Sequence, residues 1–262
     1  AVDGIARVRT RYRSVAAMGR QGATLACAPG GVRGAGDGVR TSGSATLTCC
    51  GSDVQLDPQC DGSPLDRVGD EGGGWPATYL DVGSGFDHLR ELSGPHDLDL
   101  TRVVAAGHSA GGALALWAAA RDKIDSSSEL YVHDPVSVQA VFALAPAADL
   151  EGLQTGGTCG NVVGRLMGGS SAENPDRYAA ASPMQLAPVG VPQTLLIGGL
   201  DTAWGAPGRA YHNRAITAGD SGVRVVDLPE SGHFEMVVPT TSTWRLVIAA
   251  LEDTFAGLES GN

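Results

Sequence analysis

The run Val103-Val104-Ala105-Ala106, followed by Gly107-His108-Ser109-Ala110-Gly111-Gly112 and then by the alanine- and leucine-rich Ala113 to Arg121, limits the fold more than any other stretch. The first part is a short apolar run of the kind that fills a buried parallel strand. Leu114, Leu116, Trp117 and the intervening alanines are strong helix formers. Between them the G-x-S-x-G pattern reads as an abrupt strand-to-helix turn that holds Ser109 in a strained backbone conformation, with its hydroxyl exposed at the end of a sheet. Side chains at Gly107 or Gly111 would collide with the neighbouring strand or helix. At the start of the helix, the Ala110 amide points where negative charge would develop on a reacting oxygen, which makes it half of an oxyanion hole.

A chain of 262 residues can bury the core of one large α/β domain, and one domain spanning residues 1–262 is expected. No run of about 18 apolar residues suggests a membrane span. The net charge of -11 argues against nucleic acid or an anionic membrane as partner, because either would need a local positive field. The basic cluster Arg7, Arg9, Arg11 and Arg13 alternates at strand spacing and reads as a solvated edge strand. Cys27, Cys49, Cys50, Cys60 and Cys159 are odd in number and lack C-x-x-C spacing, so at least one thiol is free and neither a full disulfide framework nor a zinc site is expected. Adjacent Cys49 and Cys50 do not easily reach disulfide geometry with each other. The first residues carry no charged start followed by an apolar core, and a cytoplasmic location is the expectation.

From about Trp75 onward strands and helices alternate. Pro76 to Leu92 carries apolar residues at helical intervals despite Gly83 and Gly85. Val138 to Leu144, Gln193 to Ile197 and Val223 to Leu228 read as further buried strands, and Pro207 to Ala218 and Thr241 to Phe255 as helices. Such alternation predicts an α/β fold with a mostly parallel central sheet and helices on both faces. Residues 147–190 make a longer connection than usual, expected to be a lid or a plain helical insertion. The Gly-, Asp- and Ser-rich stretch from Gly19 to Gly74 offers two short strand candidates, Ala23 to Ala28 and Ala45 to Cys50.

A serine hydroxyl is a weak nucleophile near neutral pH. It needs an imidazole to accept its proton, and the imidazole needs a carboxylate to fix its tautomer. In α/β-hydrolases, which carry such a turn, the chain order is serine, acid, histidine, the acid after a late strand and the histidine after the last one. Asp201 directly follows Leu195 to Leu200, and His233 follows Val225 to Pro229 within Glu230-Ser231-Gly232-His233-Phe234. Asp149 and Glu151, after an earlier strand, are the reserve acids. His108 is expected to be a structural neighbour of the serine, and His88, His96, His133 and His212 to be surface or satisfied polar residues. No metal is expected, since H-E-x-x-H and clustered His-carboxylate spacings are absent. No nucleotide cofactor is expected either: the sole lysine, Lys123, excludes a Walker loop, and Gly34-x-Gly36-x-Gly38 lacks dinucleotide spacing.

With these residues placed, the chain from Arg67 to about Leu251 resembles the α/β-hydrolase superfamily, and within it the small esterase and kynurenine-formamidase-like group. The resemblance rests on Arg67 to Pro76 (RVGDEGGGWP), Gly107 to Gly112 (GHSAGG), Arg177 to Pro183 (RYAAASP) and Gly232 to Glu235 (GHFE). It implies hydrolysis of small carboxylic esters or N-formyl amides through an acyl-enzyme, with Ser109 attacking, His233 shuttling the proton and Asp201 orienting it. The group usually carries His-Gly-Gly and an aromatic residue after an early strand as the second oxyanion donor. Here the nearest match is Pro29-Gly30-Gly31-Val32, without the histidine and the aromatic residue, and Gly31 is the expected donor. An esterase is therefore the leading expectation, an arylformamidase the runner-up, and a catalytically inactive hydrolase-fold binding protein the rival. Initial rates should rise with pH through the ionisation of an imidazole, ordinarily about 6.5. They should be indifferent to EDTA; loss with chelator and recovery with a divalent metal would overturn the cofactor-free expectation.

Overall fold

The computed structural model describes residues 5–8, 15–18, 23–27 and 45–49 as backbone strands, and residues 74–96, 98–157 and 160–259. Eight strands among them form one sheet: β1 (Ile5–Val8), β2 (Val15–Met18), β3 (Ala23–Cys27), β4 (Ala45–Cys49), β5 (Asp99–His108), β6 (Ala140–Leu144), β7 (Gln193–Gly198) and β8 (Val223–Leu228). Their order across the sheet is β1-β2-β4-β3-β5-β6-β7-β8. Pairings β1/β2 and β2/β4 are antiparallel, whereas β4/β3 and every step from β3 through β8 are parallel. Parallel neighbours require crossovers. The nine helices described are α1 (Ala77–Asp87), α2 (Leu89–His96), α3 (Ala110–Ala119), α4 (Leu150–Thr155), α5 (Val162–Met167), α6 (Pro175–Ala181), α7 (Pro183–Leu186), α8 (Gly205–Ala218) and α9 (Ser242–Glu259).

The period-2 alternation of a strand decides which core each residue of β5 enters. Val103 and Ala105 pack with α3, Tyr79 and Phe86 of α1, Leu89 of α2 and Tyr211 of α8. Val104 and Ala106 face the other way, onto Phe142, Leu144, Leu196 and the α9 residues Val247 and Ala250. Both faces of the central strands are thus covered, which is why their sequences are apolar throughout rather than alternating. The α/β class expected from the order of elements is the observed one.

Some boundaries differ from expectation. The helix expected from Pro76 to Leu92 is two helices separated at His88, and Leu89 just beyond the joint is fully buried. Strand β6 begins at Ala140 rather than Val138, although the Gln139 amide already donates to the Val103 carbonyl at 2.8 Å. Both strand candidates in the early region are strands, over Ala23–Cys27 and Ala45–Cys49, and the last residue expected of each, Ala28 and Cys50, lies outside the described residues. Of the four alternating arginines, Arg7 lies in the edge strand β1, while Arg9, Arg11 and Arg13 lie outside the described residues. Cys50, Cys60 and Cys159 also lie outside them. Residues 147–190 hold α4 to α7, whose Leu150, Leu153, Val163, Met167 and Tyr178 are buried in the same core as α3.

Arg121, just past α3, is 3% exposed and forms a two-pronged ion pair with Asp87 at the end of α1, at 3.0 and 2.5 Å. Asp87 also accepts the Val136 amide at 2.8 Å. The pair ties α1 and the segment before β6 to the end of α3, and removing Asp87 alone would strand a buried cation. It also explains Gly83 inside α1, where a Cβ would lie 3.1 Å from an Arg121 guanidinium nitrogen.

At the β5–α3 turn a Cβ on Gly107 would lie 2.1 Å from the Gly111 carbonyl oxygen, and one on Gly112 would lie 3.0 Å from Pro146 Cβ. Backbone cannot yield at the first distance as a flexible side chain can. Gly107→Ala is expected to cost about 3 kcal/mol or more in urea unfolding. Gly257→Ala in α9, where a Cβ meets nothing within 4 Å, should be neutral or gain up to about 1 kcal/mol. Equal effects of the two substitutions would refute the steric account of the turn.

Candidate active site

Ser109 occupies the turn between β5 and α3 with φ 56° and ψ −119°, a region rarely populated by residues with a side chain. The conformation is held from both sides of its peptide. The Ser109 amide donates to the Leu144 carbonyl at 2.8 Å, and its carbonyl accepts from Ala147 at 3.0 Å and Ala113 at 3.2 Å. The strand β6 and the residues after it therefore clamp the turn. Ala110 follows as the first residue of α3, where amides have no carbonyl partner within the helix.

Asp201 and His233 come from the loops after β7 and β8, adjacent parallel strands whose carboxyl ends lie at the same edge as that of β5. Two glycines bring these loops into contact. A Cβ on Gly198 would lie 2.5 Å from the Ser231 carbonyl oxygen, and one on Gly199 2.6 Å from that of Pro229. The space is used for backbone bonds, from Gly199 to Leu228 at 2.8 Å and from Leu200 to Ser231 at 2.9 Å. Across this join His233 Nδ1 lies 2.7 Å from Asp201 Oδ2, while Asp201 Oδ1 accepts the Trp204 amide at 3.0 Å.

Asp201 is 7% exposed, and burial by itself would raise its pKa. The hydrogen bond to His233 and the amides of Trp204 and Ala203 outweigh burial, so the carboxyl titrates below its usual range and is ionised at neutral pH. An ionised Asp201 has only lone pairs to offer, so neutral His233 carries its proton on Nδ1 and leaves a lone pair on Nε2. That nitrogen is buried and has no hydrogen-bond partner among the described residues. Such a group is a vacant base held ready for a proton donor.

The residue preceding the serine completes the arrangement. His108 ends β5, and its ring lies 4.5 Å from that of His233, centroid to centroid. Its Nε2–H donates to the His233 carbonyl at 2.8 Å, so β5 and the loop after β8 are joined directly. Burial, followed by the proximity of His233, lowers the His108 pKa to about 4, and it is neutral at physiological pH. Two further rings touch His233: Trp204 stacks on it with 25° between planes, and Phe234 meets it edge-on at 85°. His108 is the expected structural neighbour of the serine, but its bond to the His233 carbonyl and the stacking of Trp204 have no signature in sequence spacing.

The expected acid and histidine are thus brought together beside the residue that precedes Ser109. The reserve acids are not. Asp149 caps α4 by accepting the Gly152 amide at 2.9 Å, and Glu151 bonds Ser171 at 3.1 Å and Gln185 at 3.2 Å. His88 pairs with Glu91 at 2.9 Å, His133 is exposed, and His212 lies 3.3 Å from the Asn213 side-chain oxygen. Gly31, the expected second oxyanion donor, lies outside the described residues, four positions beyond the end of β3. Among the described residues no group of three His, Cys, Asp or Glu side chains is placed to hold a metal ion, and no helix is long and apolar enough to cross a membrane.

The family model BD-FAE matches residues 70–202, just over half of the chain and a span that includes the serine turn and Asp201. No curated protein matches the sequence. Among solved structures, esterase B of Lactobacillus rhamnosis, inhibited by a tributyrin phosphonate, superposes with a TM-score of 0.70 at 15% identity, covering 97% of this chain and 84% of its own. A bacterial heroin esterase gives 0.64 at 21% identity, covering 98% and 86%. The thermophilic esterase Est2 of the planctomycete Thermogutta terrifontis, with propionate bound, gives 0.64 at 14% identity, covering 99% and 96%. At these identities the likeness is one of fold.

Burial of neutral His108 carries a stability consequence. Between about pH 6.5 and about 4 the unfolded chain protonates this imidazole and the folded chain does not, so folding loses stability as pH falls through that window. The full effect is about 3 kcal/mol at its acidic end. His108→Gln should therefore lose about 2 to 3 kcal/mol less than the parent between pH 7 and pH 4.5 in urea titrations. Identical acid sensitivity of the two proteins would rule out His108 as its source.

Proposed function

This chain belongs to the BD-FAE family and has the α/β-hydrolase fold, and from that premise we propose that it is a serine esterase of small carboxylic esters. The observation that carries the reading is the buried, unpartnered Nε2 of His233, whose other nitrogen is held by ionised Asp201 and whose ring and carbonyl abut the residue before Ser109. A spare proton acceptor held in this way suits a neighbouring group that must lose a proton. The solved structures of similar fold are esterases by title, which agrees with this choice of reaction.

In the proposed reaction Ser109 Oγ attacks the acyl carbon as its proton passes to His233 Nε2, and Asp201 stabilises the imidazolium. The tetrahedral oxyanion is received by the Ala110 amide and, we propose, by that of Gly31 as the second donor. Collapse expels the alcohol, which takes the proton from His233 and leaves an acyl-serine. Water, deprotonated by the same imidazole, then releases the acid and regenerates the serine. The four-helix insertion at residues 147–190 is the proposed substrate-facing part of a single domain.

Purified variants assayed on short p-nitrophenyl esters test this directly. Ser109→Ala and His233→Ala should each lower kcat by about 10,000-fold or more with folding retained. Asp201→Asn should be milder, by about 100- to 10,000-fold, and Asp149→Asn close to the parent, since Asp149 serves as a helix cap. Undiminished turnover in Ser109→Ala removes the nucleophile, and a larger loss in Asp149→Asn than in Asp201→Asn reassigns the acid. Faster turnover of N-formylkynurenine than of the esters would make the protein an arylformamidase. Absence of labelling by a fluorophosphonate probe would make it an inactive scaffold.

A further inference from the structure

The ring of Trp204 covers His233 at a centroid distance of 5.2 Å with 25° between planes, so the indole presents its face to the imidazole. None of the other aromatic neighbours of His233 among the described residues has this orientation. Phe234 offers an edge at 85°, and His108, at 47°, is a neutral imidazole at physiological pH. An indole face carries the most negative quadrupole of any side chain and attracts a cation held over it within about 6 Å. Neutral imidazole gains little from such a surface, whereas an imidazolium gains substantially.

We propose that Trp204 is a positioning residue that stabilises the imidazolium formed on His233 when the serine proton arrives. The proposal rests on His233 being the base of the preceding section and adds a group that acts on it through its ring face. Because the stabilisation exists only once the proton has moved, it favours the transition state over the resting enzyme. Among the described residues, the charged and titratable groups around His233 are Asp201 from the β7–α8 loop, His108 from the end of β5, and Glu235, whose carboxylate lies 2.8 Å from where a Gly232 Cβ would stand. Asp201 supplies charge in line with Nδ1, whereas Trp204 supplies it over the plane of the ring.

The local chain explains how the ring is held. Asp201 and Trp204 belong to one turn, in which the Trp204 amide donates to Asp201 Oδ1 at 3.0 Å. Trp204 also packs against both hydrophobic cores. Acid and indole are therefore positioned together. Since the bond to Asp201 comes from the backbone, side-chain substitution at position 204 leaves that donor present.

The test compares full-length parent, Trp204→Phe and Trp204→Leu on a short p-nitrophenyl ester, with kcat and KM across pH and thermal unfolding as a control. Trp204→Leu should lower plateau kcat by about fivefold, in line with a partly desolvated cation–π contact, and leave KM little changed. Its acidic limb should move to lower pH, because the protonated form of the base has lost a partner. Trp204→Phe should recover most of both effects. An unmoved acidic limb, or equal losses in Phe and Leu variants, overturns the proposal, as a packing role would produce either. Should Trp204→Leu fail to fold, fluorotryptophan incorporation preserves shape while weakening the ring face. The limb should then move down with added fluorine in the parent and not in Trp204→Phe, and no movement in the parent overturns the proposal. Activity retained by Ser109→Ala would refute the esterase reading itself, whereas an inactive Ser109→Ala with an unaltered Trp204→Leu profile refutes only the role of Trp204.

Discussion

The clamp on the Ser109 peptide is the constraint from which the site is built. Its amide is bound to Leu144 and its carbonyl to Ala147, so the strained turn is held by the neighbouring strand β6 rather than by its own sequence. A backbone at φ 56° stores strain of about 1 to 3 kcal/mol, which persists only where the surroundings overdetermine it. Gly107, Gly112 and Pro146 meet the same requirement sterically, by letting strand, helix and the following segment approach to distances that a Cβ would forbid.

A second clamp of the same kind joins the loops after β7 and β8. Gly198 and Gly199 admit the carbonyls of Ser231 and Pro229, and the resulting backbone bonds align Asp201 with His233 before any side-chain interaction is counted. The 2.7 Å contact between these two side chains is therefore made between groups already held close, which limits the conformational entropy lost in forming it. His108 links the two clamps, since it ends β5 and donates to the His233 carbonyl. The three strands that bear the serine, acid and histidine segments are thus connected through short, mostly backbone bonds.

Electrostatics around His233 follow from this geometry. Asp201 stays ionised because its hydrogen bonds outweigh its burial, while His108 stays neutral because burial and the proximity of His233 outweigh its hydrogen bond and the nearby Asp201. One charged carboxylate and one uncharged imidazole therefore border the same ring. The proton on His233 is directed to Nδ1, and Nε2 is left as a buried acceptor. Away from this centre, Arg121 and Asp87 fix the far end of α3, so the helix that begins at the serine is anchored at both ends.

Strand–elbow–helix order, the alternation of strands and helices after Trp75, and the loops bearing Asp201 and His233 were legible in the sequence because each depends on local pattern. A buried parallel strand must be continuously apolar, a tight turn must have glycines, and an acid after a strand end needs only counting. Helix boundaries near His88 and the start of β6 were less legible, since tertiary contacts rather than propensity set them. In the sequence, chain order alone ranks Asp201 above Asp149. In the fold Asp149 caps a helix, while Asp201 reaches His233. The hydrogen bond from His108 and the stacking of Trp204 were decided by tertiary structure alone. They join residues from different strand ends, at sequence separations of 125 between His108 and His233 and of 29 (233 minus 204) between His233 and Trp204, and no local pattern encodes which rings meet when separate crossovers deliver them to one edge of a sheet.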